Sequence, residues 1–205
     1  MANNDLLVWI DCEMTGLDLD IDELVEIAVI VTDSQLTPLH SGLQLVIKPH
    51  QSALDNMGDF VREMHTNSGL ITEIDGGVSV DEAQAKVLDY LADLLPDGSR
   101  PPLAGNSVGT DRAFLVRYMP QLEARLHYRT IDVSTIKELA RRWQPRVYFN
   151  APAKRNGHRA LDDIRESIRE LDYYRASLLD NAGEVSTEDA QKAALFVGEK
   201  YPDLV

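Results

Sequence analysis

Hydrophobic and polar positions alternate in the first quarter of the chain. Apolar runs rich in Val, Ile and Leu occupy residues 6–13, 23–32 and 40–47, and turn residues such as Gly16 and Ser34 separate them. Short apolar or alternating runs bounded by turn residues are typical of β-strands. Because the connections are short, the pattern predicts three antiparallel strands joined as a meander.

From residue 79 the hydrophobic pattern takes the period of a helix. In residues 79–95 the apolar positions fall on one stripe, Ser79 can cap the first turn with Glu82 three residues later, and Pro96 ends the helix. Strand and helix patterns then alternate. The predicted elements are a strand at 102–106, a helix through 112–118, a strand at 129–133, a helix capped by Ser134 and running to Trp143, a loop at 144–157, and a helix from about 160 to 179.

This order of elements predicts an α/β fold in which helices cover a mixed sheet. The chain has 205 residues and no internal repeat or long linker, so we expect one domain over residues 1–179. Residues 180–205 are predicted to be an acidic C-terminal extension, in which residues 186–199 have the pattern of one further helix.

The composition excludes several classes of protein and of partner. Hydrophobic residues make up 44% and charged residues 26% of the chain, which excludes a disordered, collagen-like or disulfide-framework protein. The net charge of −14 disfavours binding of long duplex nucleic acid through a broad basic face. A short nucleic acid in a locally neutralised pocket stays compatible with this charge.

The sequence also bears on the cellular compartment. Cys12 is the single cysteine and cannot form an internal disulfide, which suits a reducing compartment. The first residues lack the basic segment of a signal peptide, and no apolar stretch approaches the length needed to span a bilayer. We therefore expect a cytoplasmic protein with no membrane association.

Two carboxylates at the end of the first predicted strand are the first candidates for chemistry. Asp11 and Glu13 point to the same face of the strand, while Cys12 points to the other face and is expected to be a buried, inert thiol. Neighbouring buried carboxylates repel each other, and a divalent cation such as Mg²⁺ or Mn²⁺ would relieve that repulsion. The alternative is that both side chains simply reach solvent from the tip of the strand.

Three further residues complete a candidate constellation. Asp111 lies in the first turn of a helix and faces back towards the end of the sheet, although an acid at this position can also serve only the helix dipole. His158 precedes the helix predicted from residue 160, and Asp163 lies about one turn inside it, so both could reach one cleft. A single histidine in a loop is usually just solvated, so the argument for a site depends on the joint pattern of the four carboxylates and His158.

At these residues the sequence resembles a known enzyme family. Asp11-x-Glu13, Asn106-x₄-Asp111 and His158-x₄-Asp163 resemble the three motifs of the DEDD exonuclease superfamily, in its histidine-bearing branch. Within that branch the chain is similar to the oligoribonuclease family over residues 6–175. The blocks that carry this similarity are residues 9–17, 105–112, 127–135 and 157–167.

The resemblance implies a fold, an activity and a set of site residues. The implied fold is ribonuclease-H-like, with a mixed five-stranded sheet flanked by helices. The implied activity is that of a 3′→5′ exoribonuclease that degrades very short RNA oligonucleotides, down to dinucleotides, to 5′-mononucleotides. His158 would be the general base. Two divalent cations, Mg²⁺ or Mn²⁺, would be held by Asp11, Glu13, Asp111 and Asp163.

The resemblance also implies substrate-binding residues and a homodimer. Leu17 matches an apolar wedge between bases, and Tyr128 matches an aromatic residue that reaches across the dimer. The 5′-phosphate would be held by Arg129 and Ser134 with Ser107 beside them, and Asn106 of the second motif is a further candidate. Phe60 stands where relatives commonly have Trp, so we expect weaker base stacking there.

Two other functions remain open from the sequence. A proofreading or trimming exonuclease acting on longer DNA or RNA would use the same five catalytic residues. A dimeric module that holds nucleotides without cleaving them would be expected to lack at least one carboxylate, and all four are present together with His158. The segment 141–159 carries six Lys or Arg residues and no acid, which either supplies local positive charge to the site or is a solvated basic loop.

Overall fold

A mixed five-stranded sheet forms the centre of the part of the protein that the computed structural model describes, which is residues 5–153, 157–179 and 185–200. The strand order is β3-β2-β1-β4-β5. β1 pairs antiparallel with β2 and parallel with β4, β2 pairs antiparallel with β3, and β4 pairs parallel with β5. The strands are β1 (Leu7–Met14), β2 (Leu24–Thr32), β3 (Leu43–Val46), β4 (Pro102–Gly105) and β5 (His127–Asp132). The predicted meander and mixed sheet are confirmed.

Alternation along β1 divides the interior into two layers. Val8, Ile10 and Cys12 belong to one core cluster, whereas Trp9 between them belongs to the other. Every residue of β2 is buried, because it lies inside the sheet and helices cover both of its faces. Burial of these apolar side chains is what ties the helices to the sheet.

Helices cover the two faces of the sheet. The first core cluster includes residues of α3 (Val80–Leu94), α4 (Gly109–Tyr118) and α5 (Pro120–Glu123). The second includes residues of α6 (Val133–Trp143) and α8 (Ala160–Tyr174). Ser79 caps α3 as predicted, since its Oγ accepts the backbone N–H of Glu82 at 3.2 Å. The α/β fold class predicted from the element order is therefore confirmed.

Four details differ from the sequence-based expectation. Residues 51–67, for which we predicted no element, form α1 (Gln51–Asn56) and α2 (Asp59–Asn67). The predicted loop at 144–157 contains α7 (Pro145–Phe149), which begins at a proline compatible with the first helical turn. The cap of α6 is Asp132 rather than Ser134, because the carboxylate accepts the Ser134 N–H at 2.9 Å. The α-helix predicted from 160 to 179 ends at Tyr174 and continues as a π-helical turn.

The predicted C-terminal helix is present as α9 (Thr187–Lys200). Residues 180–184 and 201–205 of the predicted extension lie outside the described residues, and its separation from the domain at residue 179 stays a prediction. Among the residues that the structure describes, every helix is too short or too polar to cross a membrane.

Candidate active site

The end of β1 and the start of α4 are tied together by a carboxylate. Asp111 lies in the first turn of α4, is buried, and its Oδ1 accepts the backbone N–H of Cys12 at 2.9 Å. Burial raises the pKa of Asp111 to about 7; the N–H of Cys12 opposes that rise and the charge of Asp132 adds to it. The predicted orientation of Asp111 towards the sheet end is confirmed.

Glu13, His158 and Asp163 converge beside this carboxylate. One nitrogen or oxygen atom from each of the three side chains lies within 4.8 Å of the other two. Glu13 is contributed by β1, Asp163 by the first turn of α8, and His158 by the loop before α8. The sequence separation of Glu13 from the other two shows that the fold, rather than local structure, assembles the group.

The carboxyl group of Glu13 is strongly perturbed. Burial and, after it, the charges of Asp163, Glu26 and Asp111 together raise its pKa to about 8, while Arg159 acts in the opposite direction. A carboxylate that is crowded by others in this way favours either a proton or a cation.

Asp11 and Cys12 lie on opposite faces of β1, as predicted. Asp11 is half-buried on the face of Glu13, and Cys12 belongs to the core cluster on the other face. Burial raises the pKa of the Cys12 thiol well above its ordinary value, and the nearby carboxylates raise it further. The thiol is therefore protonated and unreactive near neutral pH.

The residues present fit a divalent cation. Carboxylate oxygens are preferred by Mg²⁺ and Mn²⁺, and the raised pKa values of Glu13 and Asp111 indicate that the protein itself does not stabilise their ionised forms. The group formed by Glu13, His158 and Asp163 includes one of these two carboxyl groups, that of Glu13. Asp11 lies on the same face of β1 as Glu13 but, like Asp111, is outside the group of three whose ligand atoms lie within 4.8 Å of one another.

A second histidine that sequence reasoning missed lies against Glu13. His65 of α2 is fully buried, and its Nε2–H donates to the carbonyl oxygen of Met14 at 2.9 Å. Its Nδ1 lies 3.9 Å from Oε2 of Glu13. The sequence signal would have been a histidine on the inward face of a helix, but α2 itself was not predicted.

Three large apolar side chains proposed as base contacts are exposed. Leu17, Phe60 and Tyr128 keep 75%, 80% and 73% of their surface accessible. Phe60 lines a groove of about 370 Å³ together with His158, which places the ring near that histidine. Tyr128 lies on β5, where the guanidinium of Arg129 is 5.4 Å from the centre of its ring.

The two serines proposed to hold phosphate meet at Asp132. Oδ1 of Asp132 accepts the N–H of Ser107 at 3.0 Å, the N–H of Ser134 at 2.9 Å and the hydroxyl of Ser134 at 2.6 Å. Ser107 has a left-handed backbone with φ 56°. Asp132 was not among the predicted residues, although an acid two positions before a serine at a helix start is a recognisable capping signal.

The side chain of Asn106 is hydrogen-bonded to residues of α8. Its Nδ2 donates to Oγ of Ser167 at 2.8 Å and to Oε2 of Glu170 at 3.2 Å. These bonds join the end of β4 to α8, so the side chain has a structural use. Its role in substrate binding stays a prediction.

The basic segment 141–159 is largely paired with acids where it is described. Arg141 and Arg142 both bond Glu138, and Arg159 bonds Glu26 and Glu73. Lys154 and Arg155 lie outside the described residues. For Arg141, Arg142 and Arg159 the pairing favours a structural role over a track for a polyanion.

Comparison of the chain with known proteins shows which family it matches. The RNase_T family, described as an exonuclease, matches residues 8–171. An oligoribonuclease from Leifsonia xyli is 61% identical over 98% of this chain and 97% of the relative. An oligoribonuclease from Streptomyces coelicolor is 58% identical over 85% of this chain and 88% of the relative.

Solved structures of other exonucleases share the fold. The zinc-bound complex of E. coli ExoI with single-stranded DNA has a TM-score of 0.65 at 13% identity, over 85% of this chain and 41% of that one. Exonuclease I from Methylocaldum szegediense has a TM-score of 0.62 at 22% identity, over 84% of this chain and 41% of that one. This chain thus spans about two fifths of those enzymes, and at such identities the similarity concerns the fold alone.

Proposed function

Since this chain belongs to the RNase_T exonuclease family and, within it, to the oligoribonucleases, it is a 3′→5′ exoribonuclease, and we propose that it hydrolyses very short RNA, down to dinucleotides. The products are 5′-mononucleotides released from the 3′ end. The convergence of Glu13, His158 and Asp163 beside Asp111 is the observation that carries the proposal.

Asp11, Glu13, Asp111 and Asp163 are the residues we propose to hold two divalent cations, Mg²⁺ or Mn²⁺. When bound, two such cations would balance the four carboxylates and stabilise the attacking and departing oxygens of an in-line displacement at phosphorus. The buried carboxyl groups supply oxygen ligands for this purpose, and Asp111 keeps its orientation through the bond from Cys12.

His158 is proposed as the general base. It is exposed at the groove that Phe60 also lines, so its imidazole can accept a proton from the attacking water while a base of the substrate lies nearby. Histidine is the side chain most often used as a general base in proton transfer. Attack of the water on phosphorus forms one P–O bond and breaks the bond to the departing 3′-oxygen.

Contacts to the remainder of a short substrate are proposed for exposed side chains around the site. Leu17 and Phe60 would contact the bases, and Ser107, Arg129, Ser134 and Asn106 would contact the 5′-phosphate end. The exposure of Tyr128 supports a homodimer in which this ring reaches the substrate of a second copy. A base stacked on an aromatic ring gains about 1–3 kcal/mol.

The charge of the protein supports a short substrate, and its single cysteine supports a cytoplasmic location. The net charge is −14, and Arg141, Arg142 and Arg159 are bonded to acids, so a long polyanion is poorly attracted. A dinucleotide needs only a local pocket. The lone, buried Cys12 suits a reducing cytoplasm.

The decisive experiment compares substrate lengths. With Mg²⁺, we expect a 5′-phosphorylated RNA dinucleotide to be turned over faster than an RNA of about 20 nucleotides at equal concentration of 3′ ends. Equal or faster cleavage of the long RNA would favour an exonuclease for longer chains. Binding of the dinucleotide without release of mononucleotides would instead indicate a binding module.

A matched pair of variants tests the site itself. Asp163→Ala should abolish turnover, and chelation of divalent cations should do the same. Asp162→Ala is the control, because Asp162 is the neighbouring acid, exposed and bonded to Arg165 at 2.9 Å. Equal loss in both variants would contradict a specific role for Asp163.

A further inference from the structure

A second buried acid lies beside Glu13 in the sheet. Glu26 of β2 pairs with Glu13 of β1 in the strand register and has no accessible surface. A buried carboxylate is unfavourable unless hydrogen bonds satisfy it. Here Oε1 accepts from Nε2 of Gln44 at 2.9 Å and from Nε and Nη2 of Arg159 at 3.0 and 2.8 Å, while Oε2 accepts the N–H of Ala160 at 2.8 Å.

Arg159 connects Glu26 to a third element. Its Nη1 and Nη2 donate to the two carboxylate oxygens of Glu73 at 2.8 and 2.9 Å. Glu73 lies between two 3₁₀ turns, Leu70–Thr72 and Ile74–Gly76. The planar guanidinium thus bonds two carboxylates at once, a geometry that lysine cannot reproduce.

The residue before this bridge is the proposed general base. His158 has φ 48°, in the left-handed region that a residue with a side chain adopts only at a cost. Such a conformation persists where the surroundings determine it. The bonds from Arg159 and Ala160 to Glu26 fix the backbone immediately after His158, and hence the direction of its side chain.

We propose that Arg159, by bridging Glu26 and Glu73, is a positioning residue that holds His158 in the conformation directing its imidazole to Glu13 and Asp163. The proposal rests on the proposed function, in which His158 is the base. Arg159 makes this contribution through the backbone, since its own side chain is bonded to Glu26 and Glu73 on β2 and the 3₁₀ turns.

The same contacts allow a second, electrostatic role for Arg159, and the test distinguishes that role from the positioning of His158. The positive charge of Arg159 also acts on Glu13, so its loss changes the electrostatic potential at the proposed cation site as well as the support of His158. A positioning role predicts a loss in kcat at saturating Mn²⁺ with an unchanged Kd, whereas a charge effect predicts a changed Kd for Mn²⁺ and full kcat at saturating Mn²⁺.

The first measurement uses the full chain with Arg159→Ala and Arg159→Lys. We expect kcat for a dinucleotide to fall on the order of 10²-fold in Arg159→Ala, because a small misplacement of a catalytic group has this effect. KM and the Kd for Mn²⁺ should stay within about threefold, and Arg159→Lys should recover part of kcat because it can still bond one carboxylate. Recovery of full kcat by excess Mn²⁺ would overturn the proposal.

A double-mutant cycle with His158→Ala provides the second measurement. If Arg159 acts through His158, adding Arg159→Ala to His158→Ala should lower kcat by no more than about twofold. Multiplied losses would overturn the positioning role while leaving the base role intact. Full activity of His158→Ala alone would overturn the proposed base, and the positioning role with it.

A milder variant covers the case in which Arg159→Ala destabilises the protein by leaving Glu26 with fewer partners. Glu73 is half-exposed, so Glu73→Gln weakens the bridge without removing the buried pair of Arg159 and Glu26. We expect it to lower kcat several-fold with an unchanged Tm. Lys86→Ala, which removes an exposed pair with Glu82, is the matched control and should change neither quantity. Unchanged kcat in Glu73→Gln would contradict the bridge.

Discussion

Binding of a divalent cation should release protons from the site. Without a cation, burial and neighbouring acids raise the pKa of Glu13 to about 8, and burial raises that of Asp111 to about 7. At pH 7 Glu13 is then mostly protonated and Asp111 partly so, and because a cation requires ionised ligands, its binding should release about one to two protons. At pH 9, above both pKa values, few protons remain to be released.

Calorimetry of Mn²⁺ binding measures this number. Metal-free protein is titrated at one pH in buffers of different ionisation enthalpy. The observed binding enthalpy is plotted against the ionisation enthalpy of the buffer, and the magnitude of the slope is the number of protons released. The slope should fall from pH 7 to pH 9, and the apparent affinity should rise over the same interval. Glu82→Gln, an exposed acid of α3, should leave the slope unchanged.

The result that would refute the reasoning is a slope near zero at pH 7. It would mean that Glu13 and Asp111 are already ionised without a cation, and that burial and mutual repulsion do not act on them as inferred. A slope that is equal at pH 7 and pH 9 would place the released protons on other groups.

Three further predictions test the stability and the substrate contacts. The folded-state pKa values of Glu13 and Asp111 lie above their ordinary values, so metal-free protein should lose stability as pH rises from about 4.5 through 8, and Mn²⁺ should reverse the loss in Tm. Phe60→Ala should raise KM for a dinucleotide at least about fivefold and Phe60→Trp should lower it, because a stacked base gains about 1–3 kcal/mol that grows with the ring. Asp132→Ala should cost about 1 kcal/mol in the unfolding free energy through the lost cap, and should raise KM more for a 5′-phosphorylated dinucleotide than for one without the phosphate.

Strong hydrophobic periods explain why the main elements were predictable. β1, β2 and α3 bury continuous stripes of apolar side chains, so their patterns are clear in the sequence. α1 buries only Ala53 and α2 only His65, and an element with one inward residue leaves no period to detect. α7 buries none of its residues, which is why the segment 144–157 had the pattern of a loop.

The site was predictable in part for a related reason. Asp11, Glu13 and Asp111 lie at ends of predicted elements, where alternation and helix position already define their direction. Glu26 acts through a contact with Arg159, 133 residues away, and its local sequence shows only an acid inside an apolar run. A charge in the middle of a buried strand is a usable signal that a partner must exist, but it does not identify the partner.

The pairing of Glu13 with Glu26 explains how one strand pair can carry two buried acids with different functions. Glu26 accepts four hydrogen bonds from Gln44, Arg159 and Ala160, so its oxygens are occupied and its charge is balanced within the protein. Glu13, its neighbour in the register, faces other carboxylates instead, and its pKa is raised first by burial and then by the charges of those carboxylates. The same pair of strands therefore separates an acid proposed to support the backbone beside His158 from an acid proposed to bind a cation, and exchanging the two environments should remove both functions.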